Sequence, residues 1–200
     1  NECGKEVILF PGVDTWFERI NSYAATKGIV VEHYICSSGN REIIEGTSIA
    51  KCFKKIFGCE FAYDPVTKEA IWPKNAINYT QKTQYLYRIS KGALEITDDD
   101  KVNQKIKKKR ILFKNMIYVG DGITDVPCME IVKNAGGHAI AIMSTNKEIT
   151  KKLESDKRVQ FIVKPDYKPD SKIEKMVKKI IDLIEDQSYL DFYDKLKDEK

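Results

Sequence analysis

Short apolar segments alternate with amphipathic segments along most of the 200-residue chain. β-Branched and aromatic residues are concentrated in four of the apolar segments, which predicts strands at 29–36, 116–119, 138–143 and 159–163. Helical periodicity predicts the intervening helices, which begin near Thr15, Arg41, Thr80, Pro127, Asn146 and Asp170. Strands that alternate with helices predict an α/β fold, in which a Rossmann-like, mainly parallel sheet is flanked by helices.

The segment 59–73 departs from this alternation. Two short strand-like runs flank the turn-forming residues 65–68, which predicts a small β-hairpin inserted beside the main sheet. The preceding helix is predicted to extend over 41–57, with a break at Gly46. We therefore predict one core domain over residues 1–186 and a helical tail over 187–200.

Composition and charge argue against several kinds of partner. The hydrophobic fraction of 42% is sufficient for a core, and a net charge of +4 is too small to indicate binding to nucleic acid. The basic run 105–110 is interpreted as the end of a solvated helix with acidic residues at its start, in preference to an RNA-binding patch. No apolar run is long enough to span a membrane, so no membrane partner is expected.

The cysteines and histidines do not form a metal-site pattern. The five cysteines include no C-x-x-C pair, so reduced and mostly buried thiols in a cytoplasmic protein are expected. His33 and His138 have no nearby ligand partner in the sequence, which argues against a zinc site.

The stretch after Met116 leads from an apolar strand into a loop with two carboxylates. Residues 116–119 predict a strand buried on both faces, and the loop places Asp121 and Asp125 beside a helix that begins at Pro127. Carboxylate oxygens are the ligands that magnesium prefers, and a helix N-terminus favours phosphate. The alternative is that Asp121 fills a turn and Asp125 caps the helix.

A second candidate segment contains Ser37, Ser38 and Gly39, which follow the predicted strand 29–36. Hydroxyl and loop N–H groups at the end of such a strand can bind phosphoryl oxygens. Alternatively, one of the serines only caps the next helix. Because ligands of open α/β sheets bind where the strands end, Ser37 and Asp121 are expected to converge on one site.

A third candidate is Lys82, in the first turn of the helix that begins at Thr80. The helix dipole disfavours a cation at that position, so an anion or a carboxylate partner is expected to offset it. The alternative is an exposed lysine without a function.

Taken in order, Ser37, Lys82 and the segment Gly120–Asp125 resemble motifs two, three and four of the haloacid dehalogenase superfamily, in particular its phosphoserine-phosphatase-like branch. Residues 120–125 match the fourth motif, Gly-Asp-Gly-x-x-Asp, in full. The resemblance implies magnesium-dependent hydrolysis of a small phosphorylated substrate through an aspartyl-phosphate intermediate. It implies the following roles: phosphate binding by Ser37, Ser38, Gly39 and Lys82, catalysis by Lys82 and Asp125, and magnesium binding by Asp121 and Asp125. For Asp125 the resemblance leaves two possibilities open, since it would either support the metal shell or pair with Lys82.

The first motif of that family, Asp-x-Asp-x-Thr or Ser, does not occur in residues 1–36. Asp14 is the only aspartate there, and Trp16 stands where the second aspartate belongs. We expect the nucleophile and a helical cap to lie upstream of Asn1, which is not an initiator methionine. The chain alone is then expected to be inactive, because it lacks the group that attacks phosphorus.

Two other functions fit the same sequence. One is a catalytically inactive domain of this family that binds a phosphorylated ligand or a protein partner through the retained loops. The other is a generic nucleotide-binding α/β domain, which the lack of a glycine-rich phosphate fingerprint disfavours.

Overall fold

A computed structural model describes residues 2–105, 109–143, 153, 155 and 158–198 of the chain. Within these residues the α-helices are α1 (Glu2–Lys5), α2 (Val13–Ala25), α3 (Arg41–Glu45), α4 (Tyr79–Lys91), α5 (Asp99–Asn103), α6 (Val126–Asn134) and α7 (Lys172–Asp198). The strands are β1 (Tyr34–Asn40), β2 (Lys55–Tyr63), β3 (Ala70–Asn75), β4 (Ile117–Gly120), β5 (His138–Ile142) and β6 (Phe161–Val163). The helix predicted from Asn146 and residues 106–108 of the basic run lie outside the described residues.

The chain forms two compact units, whose boundaries differ from those of the predicted core domain and tail. The first unit comprises residues 1–8 and 32–162, and the second comprises 9–31 and 163–200. Helix α7 runs through residue 187 without interruption, so the predicted boundary at that position falls inside a helix. No helix in the described part of the chain combines the length and the apolar content that crossing a membrane requires.

The first unit contains a three-stranded sheet with the order β1-β2-β3. Strands β1 and β2 are parallel, whereas β2 and β3 are antiparallel and form the predicted hairpin. The turn is held by the Asp64 carboxylate, whose Oδ1 accepts bonds from the N–H groups of Val66 at 2.7 Å and Thr67 at 2.8 Å. Both hairpin strands extend a few residues beyond the predicted range 59–73.

A second three-stranded sheet has the order β4-β5-β6, and β4 and β5 run parallel. The α/β class is therefore confirmed, but the strands are distributed over two small sheets instead of one. Periodicity identifies strands without specifying which strands pair, and this explains why the sequence did not indicate two sheets. One core cluster joins them, because Phe57 of β2, Tyr85 and Leu86 of α4, Met116 before β4 and Val132 of α6 pack together.

Three local predictions are wrong, and each error has a physical cause. The β-branched run at 29–31 is not a strand. These residues are the last ones of the second unit before the first unit resumes at residue 32, and Val30 is 87% exposed. The helix from Arg41 ends at Glu45, so the predicted break at Gly46 is confirmed, but the helix does not resume after it. Residues 55–57 belong to β2 instead, where Phe57 packs in the core cluster. Strand β4 is not buried on both faces, since Val119 is 39% exposed.

Most of the longer helices agree with the predicted ones. Helix α4 begins at Tyr79 and ends before Gly92, whose φ of 74° is the left-handed conformation that glycine adopts easily. Helix α6 carries Pro127 in its first turn, as predicted. The inward face of α7 is formed by its buried residues Ile173, Val177, Ile180 and Ile181, which recur at helical spacing.

Helices α2 and α7 belong to the second unit and are joined by specific contacts. Arg19 Nε lies 3.2 Å from Glu174 Oε2, and the Tyr23 hydroxyl donates to Asp182 Oδ1 at 2.6 Å. Because Glu174 is only 1% exposed, its pairing with arginine offsets the cost of burying the carboxylate.

All five cysteines are free thiols, as predicted. Only Cys128 is fully buried, whereas Cys3 is exposed and the other three are partly buried, so the expected burial of most thiols is wrong.

Replacing Met129 by alanine tests the location of the core. Met129 is fully buried beside Ala139 and Ala141, so Met129→Ala should lower the free energy of unfolding by about 2–5 kcal/mol. Met143 is 43% exposed, and Met143→Ala should change the free energy of unfolding by less than about 0.5 kcal/mol. Urea denaturation measures both values, and equal losses for the two variants would contradict the assigned core.

Candidate functional site

The candidate site lies in the first unit, where β4 ends and α4 begins. After Gly120 the chain continues through the exposed Asp121 into a short 3₁₀ turn, Ile123–Asp125, and then directly into α6. The turn is closed by a bond from the Asp125 N–H to the Gly122 carbonyl oxygen at 3.0 Å. This geometry turns Asp125 back toward the end of the strand that precedes it.

A buried ion pair connects this loop to the start of α4. Lys82 Nζ lies 2.7 Å from Asp125 Oδ1, although the two residues are separated by 43 positions in the sequence. Lys82 is 5% exposed and Asp125 is 7% exposed. The expectation that a carboxylate offsets the position of Lys82 in the first turn is therefore confirmed, and the alternative of an exposed lysine is wrong.

The Asp125 carboxylate has two further donors. The Tyr118 hydroxyl donates to Oδ1 at 2.7 Å, and the Gly122 N–H donates to Oδ2 at 3.2 Å. A Cβ atom at Gly120 would lie 2.7 Å from Asp125 Cγ, so the residue before Asp121 must be glycine for the carboxylate to reach this position. Asp125 precedes α6 without a side-chain cap bond, which argues against the simple helix-cap interpretation.

The Lys82 ammonium has three N–H donors, and two of them have partners. One is directed to Asp125 Oδ1, and another is directed to Thr124 Oγ1 at 3.0 Å. The residues that the structure describes provide no acceptor for the third. A buried cation with an uncommitted donor is a suitable site for an anionic oxygen.

Ser37, Ser38 and Gly39 lie within β1, not after it as predicted. The register between β1 and β2 jumps from Cys36 opposite Phe57 to Asn40 opposite Cys59, so these three residues form a bulge opposite Gly58. Inside the bulge the Gly39 N–H donates to Ser37 Oγ at 2.9 Å. The serine therefore accepts a bond from its own loop, and it does not cap α3, which begins after Asn40 without a side-chain cap bond.

The bulge is electrostatically connected to the ion pair through Cys36. The pKa of the Cys36 thiol is raised to about 12, chiefly by burial; Cys128 and the Asp125 charge also raise the pKa, and Lys82 lowers it. Cys36 also packs against the core cluster to which α4 and α6 contribute. Strand β1 therefore reaches the region of the ion pair immediately before Ser37.

Asp121 differs from the buried ion pair, because it is exposed and does not take part in the bonds of Lys82 and Asp125. It is exposed on the loop, and none of the residues described here forms a hydrogen bond or an ion pair with it. Among the described residues no three side chains of the types His, Cys, Asp and Glu form a group that could hold a metal ion. The metal role of Asp121 and Asp125 remains a prediction.

The sequence analysis did not identify Tyr118, Thr124 or Gly122 as site residues. Tyr118 carried a usable signal, because a hydroxyl in an otherwise apolar strand requires a hydrogen-bond partner when it is buried. Gly122 is a fixed position of the motif Gly-Asp-Gly-x-x-Asp, whereas Thr124 occupies a variable position of it and gave no comparable signal.

The sequence is similar to a protein of Borreliella burgdorferi that is described as an uncharacterized protein. The two are 30% identical over 185 residues, and the matched region covers 82% of this chain and 63% of the relative. The chain thus spans less than two thirds of the length of that relative. No family model matches the sequence, and no solved structure matches it.

A double-mutant cycle tests the buried ion pair. Lys82→Met and Asp125→Leu should each lower the free energy of unfolding by about 3–5 kcal/mol, because each leaves a buried charge without its partner. The double variant should lose much less than the sum of the two.

The control is the surface ion pair in which Lys101 Nζ lies 3.0 Å from Asp98 Oδ1. The coupling energy of this pair should stay below about 1 kcal/mol. Urea denaturation of all variants gives the coupling energies. Additive losses for Lys82 and Asp125 would show that the pair does not form.

Proposed function

We propose that this chain is part of a magnesium-dependent phosphomonoester hydrolase of the haloacid dehalogenase type, whose aspartate nucleophile lies outside the chain. The observation that carries the proposal is the buried Lys82 ammonium, which Asp125 holds in place while one of its N–H groups has no acceptor among the described residues. Its substrate would be a small phosphorylated molecule.

Lys82 would bind a phosphoryl oxygen and stabilise the negative charge that the reaction concentrates there. Electrostatic stabilisation of this kind is strong when the donor is fixed in advance and shielded from water. Both conditions hold for Lys82, because Asp125 and Thr124 fix the ammonium and its exposure is only 5%. A flexible lysine at the surface would first have to be ordered.

Ser37 would bind a second phosphoryl oxygen. Since Ser37 Oγ accepts a bond from the Gly39 N–H, its own hydroxyl proton is directed away from that group and can be donated to a ligand. Ser38 and Gly39 are exposed in the same bulge, so their backbone is accessible to a phosphate group.

Asp121 fits magnesium better than Asp125 does. Proteins often hold magnesium through one or two carboxylates together with substrate phosphates, and Asp121 provides one exposed carboxylate at the end of β4. Asp125 is already bonded to Lys82, Tyr118 and Gly122, so its role would be to orient Lys82. When bound, magnesium would neutralise charge on the phosphoryl oxygens.

We place the protein in the cytoplasm as part of this proposal, because its five cysteines are free thiols. The greater length of the Borreliella burgdorferi relative is compatible with a nucleophile-bearing segment outside the present chain. Neither nucleic acid nor a membrane surface is proposed as a partner.

The test is release of phosphate from a generic aryl phosphate by the complete gene product, with and without magnesium. Lys82→Met should lower kcat/KM by roughly 10²–10³-fold, because a fixed donor to the reacting group is lost. Asp121→Asn should remove most of the magnesium-dependent activity. Lys51→Met, at an exposed lysine, is the control and should leave the activity unchanged.

Unchanged turnover in Lys82→Met or in Asp121→Asn would refute the corresponding role. If the complete protein releases no phosphate but binds inorganic phosphate in a Lys82-dependent manner, the inactive ligand-binding domain is the correct function instead. Isothermal titration of phosphate into wild-type protein and the Lys82→Met variant distinguishes these cases.

A further inference from the structure

The side chain of Tyr118 has a role that the motifs of the site do not account for. Tyr118 lies in β4, seven residues before Asp125, and its hydroxyl donates to the same Oδ1 atom that receives Lys82. Oδ1 therefore has two donors at 2.7 Å each. The ring also packs against the core cluster, which fixes the direction of the hydroxyl.

We infer that Tyr118 is a positioning residue, which holds the Asp125 carboxylate in one orientation and, through it, directs the Lys82 ammonium toward the phosphoryl group. The inference rests on the proposed function, because it concerns how that site is ordered.

A carboxylate that pairs with lysine alone can rotate about its Cβ–Cγ bond and can exchange its two oxygens. In this site Gly122 fixes Oδ2 and Tyr118 fixes Oδ1, so the carboxylate plane is determined at both ends. The lysine side chain is a flexible stem of four carbons, and its ammonium is a point charge without a preferred direction. Its orientation therefore depends on a carboxylate that is itself held in place.

The surroundings of the Tyr118 hydroxyl agree with its contact to Asp125. Burial, with the Asp125 charge as the second cause, raises the pKa of Tyr118 far above its ordinary value. In the structure the hydroxyl is the donor and Asp125 Oδ1 is the acceptor. The neighbouring Cys128 does not compete as an anion, because burial raises the pKa of its thiol to about 11.

The experiment compares Tyr118→Phe with wild type in the complete protein, with an aryl phosphate and magnesium. Phenylalanine keeps the ring and removes only the hydroxyl. We expect kcat to fall by about tenfold, the effect of one lost hydrogen bond to a charged group, and KM to change by less than about twofold. Tyr87→Phe, at a 42% exposed tyrosine, is the matched control and should retain wild-type kcat.

A structural defect could also lower kcat, so the same substitution is made in the Lys82→Met background. If Tyr118 acts through Lys82, Tyr118→Phe should have no further effect on the residual activity of Lys82→Met. A loss of folded protein would instead lower the activity of both backgrounds by the same factor. Near-ultraviolet circular dichroism measures the folded fraction of each variant.

The outcomes separate this inference from the proposed function. If wild type is active and Lys82→Met is impaired, but Tyr118→Phe matches Tyr87→Phe, the inference is overturned and the proposed function stands. An equal factor in both backgrounds also overturns it. If wild type shows no magnesium-dependent release of phosphate, the proposed function fails and the role of Tyr118 fails with it.

Discussion

The buried ion pair between Lys82 and Asp125 is the constraint on which the first unit depends. Transferring either charge out of water costs several kcal/mol, so neither residue can be buried unless the other is brought to it. The pair therefore fixes the start of α4 against the end of β4, and Gly120 leaves the space in which the carboxylate lies. The apolar core cluster packs around the same two elements.

This pairing makes the two carboxylates of one loop chemically different. Asp125 is enclosed by Lys82, Tyr118 and Gly122, whereas Asp121 is exposed to solvent only four residues earlier. In our proposal this difference separates two tasks, since the exposed carboxylate is available to a cation and the enclosed one orients a cationic side chain. A loop with two exposed carboxylates could not hold the lysine in this way.

How much the sequence predicted depends on the kind of feature. The α/β class, the hairpin, and helices α4, α6 and α7 follow from local patterns such as capping, turn residues and periodicity. The strand predicted at 29–36 is formed only from Tyr34 onward, and the helix predicted over 41–57 does not resume after its break at Gly46. Distant contacts decided the second segment, since Phe57 joins β2 and packs in the core cluster. The distribution of the strands over two sheets was not predictable, because pairing depends on the tertiary structure.

The same division applies to the candidate site. The sequence by itself singled out Lys82, Asp121 and Asp125 as candidates, because a lysine in a first helical turn requires a counter-charge and Gly-Asp-Gly-x-x-Asp supplies carboxylates at a strand end. The sequence offered Asp125 either as support for a metal site or as the partner of Lys82, and only the tertiary structure decided that it is the counter-charge of Lys82 and that Tyr118 shares it. The reason is physical: hydrogen bonds between residues 43 positions apart depend on how strands and helices pack, and local sequence does not encode that packing.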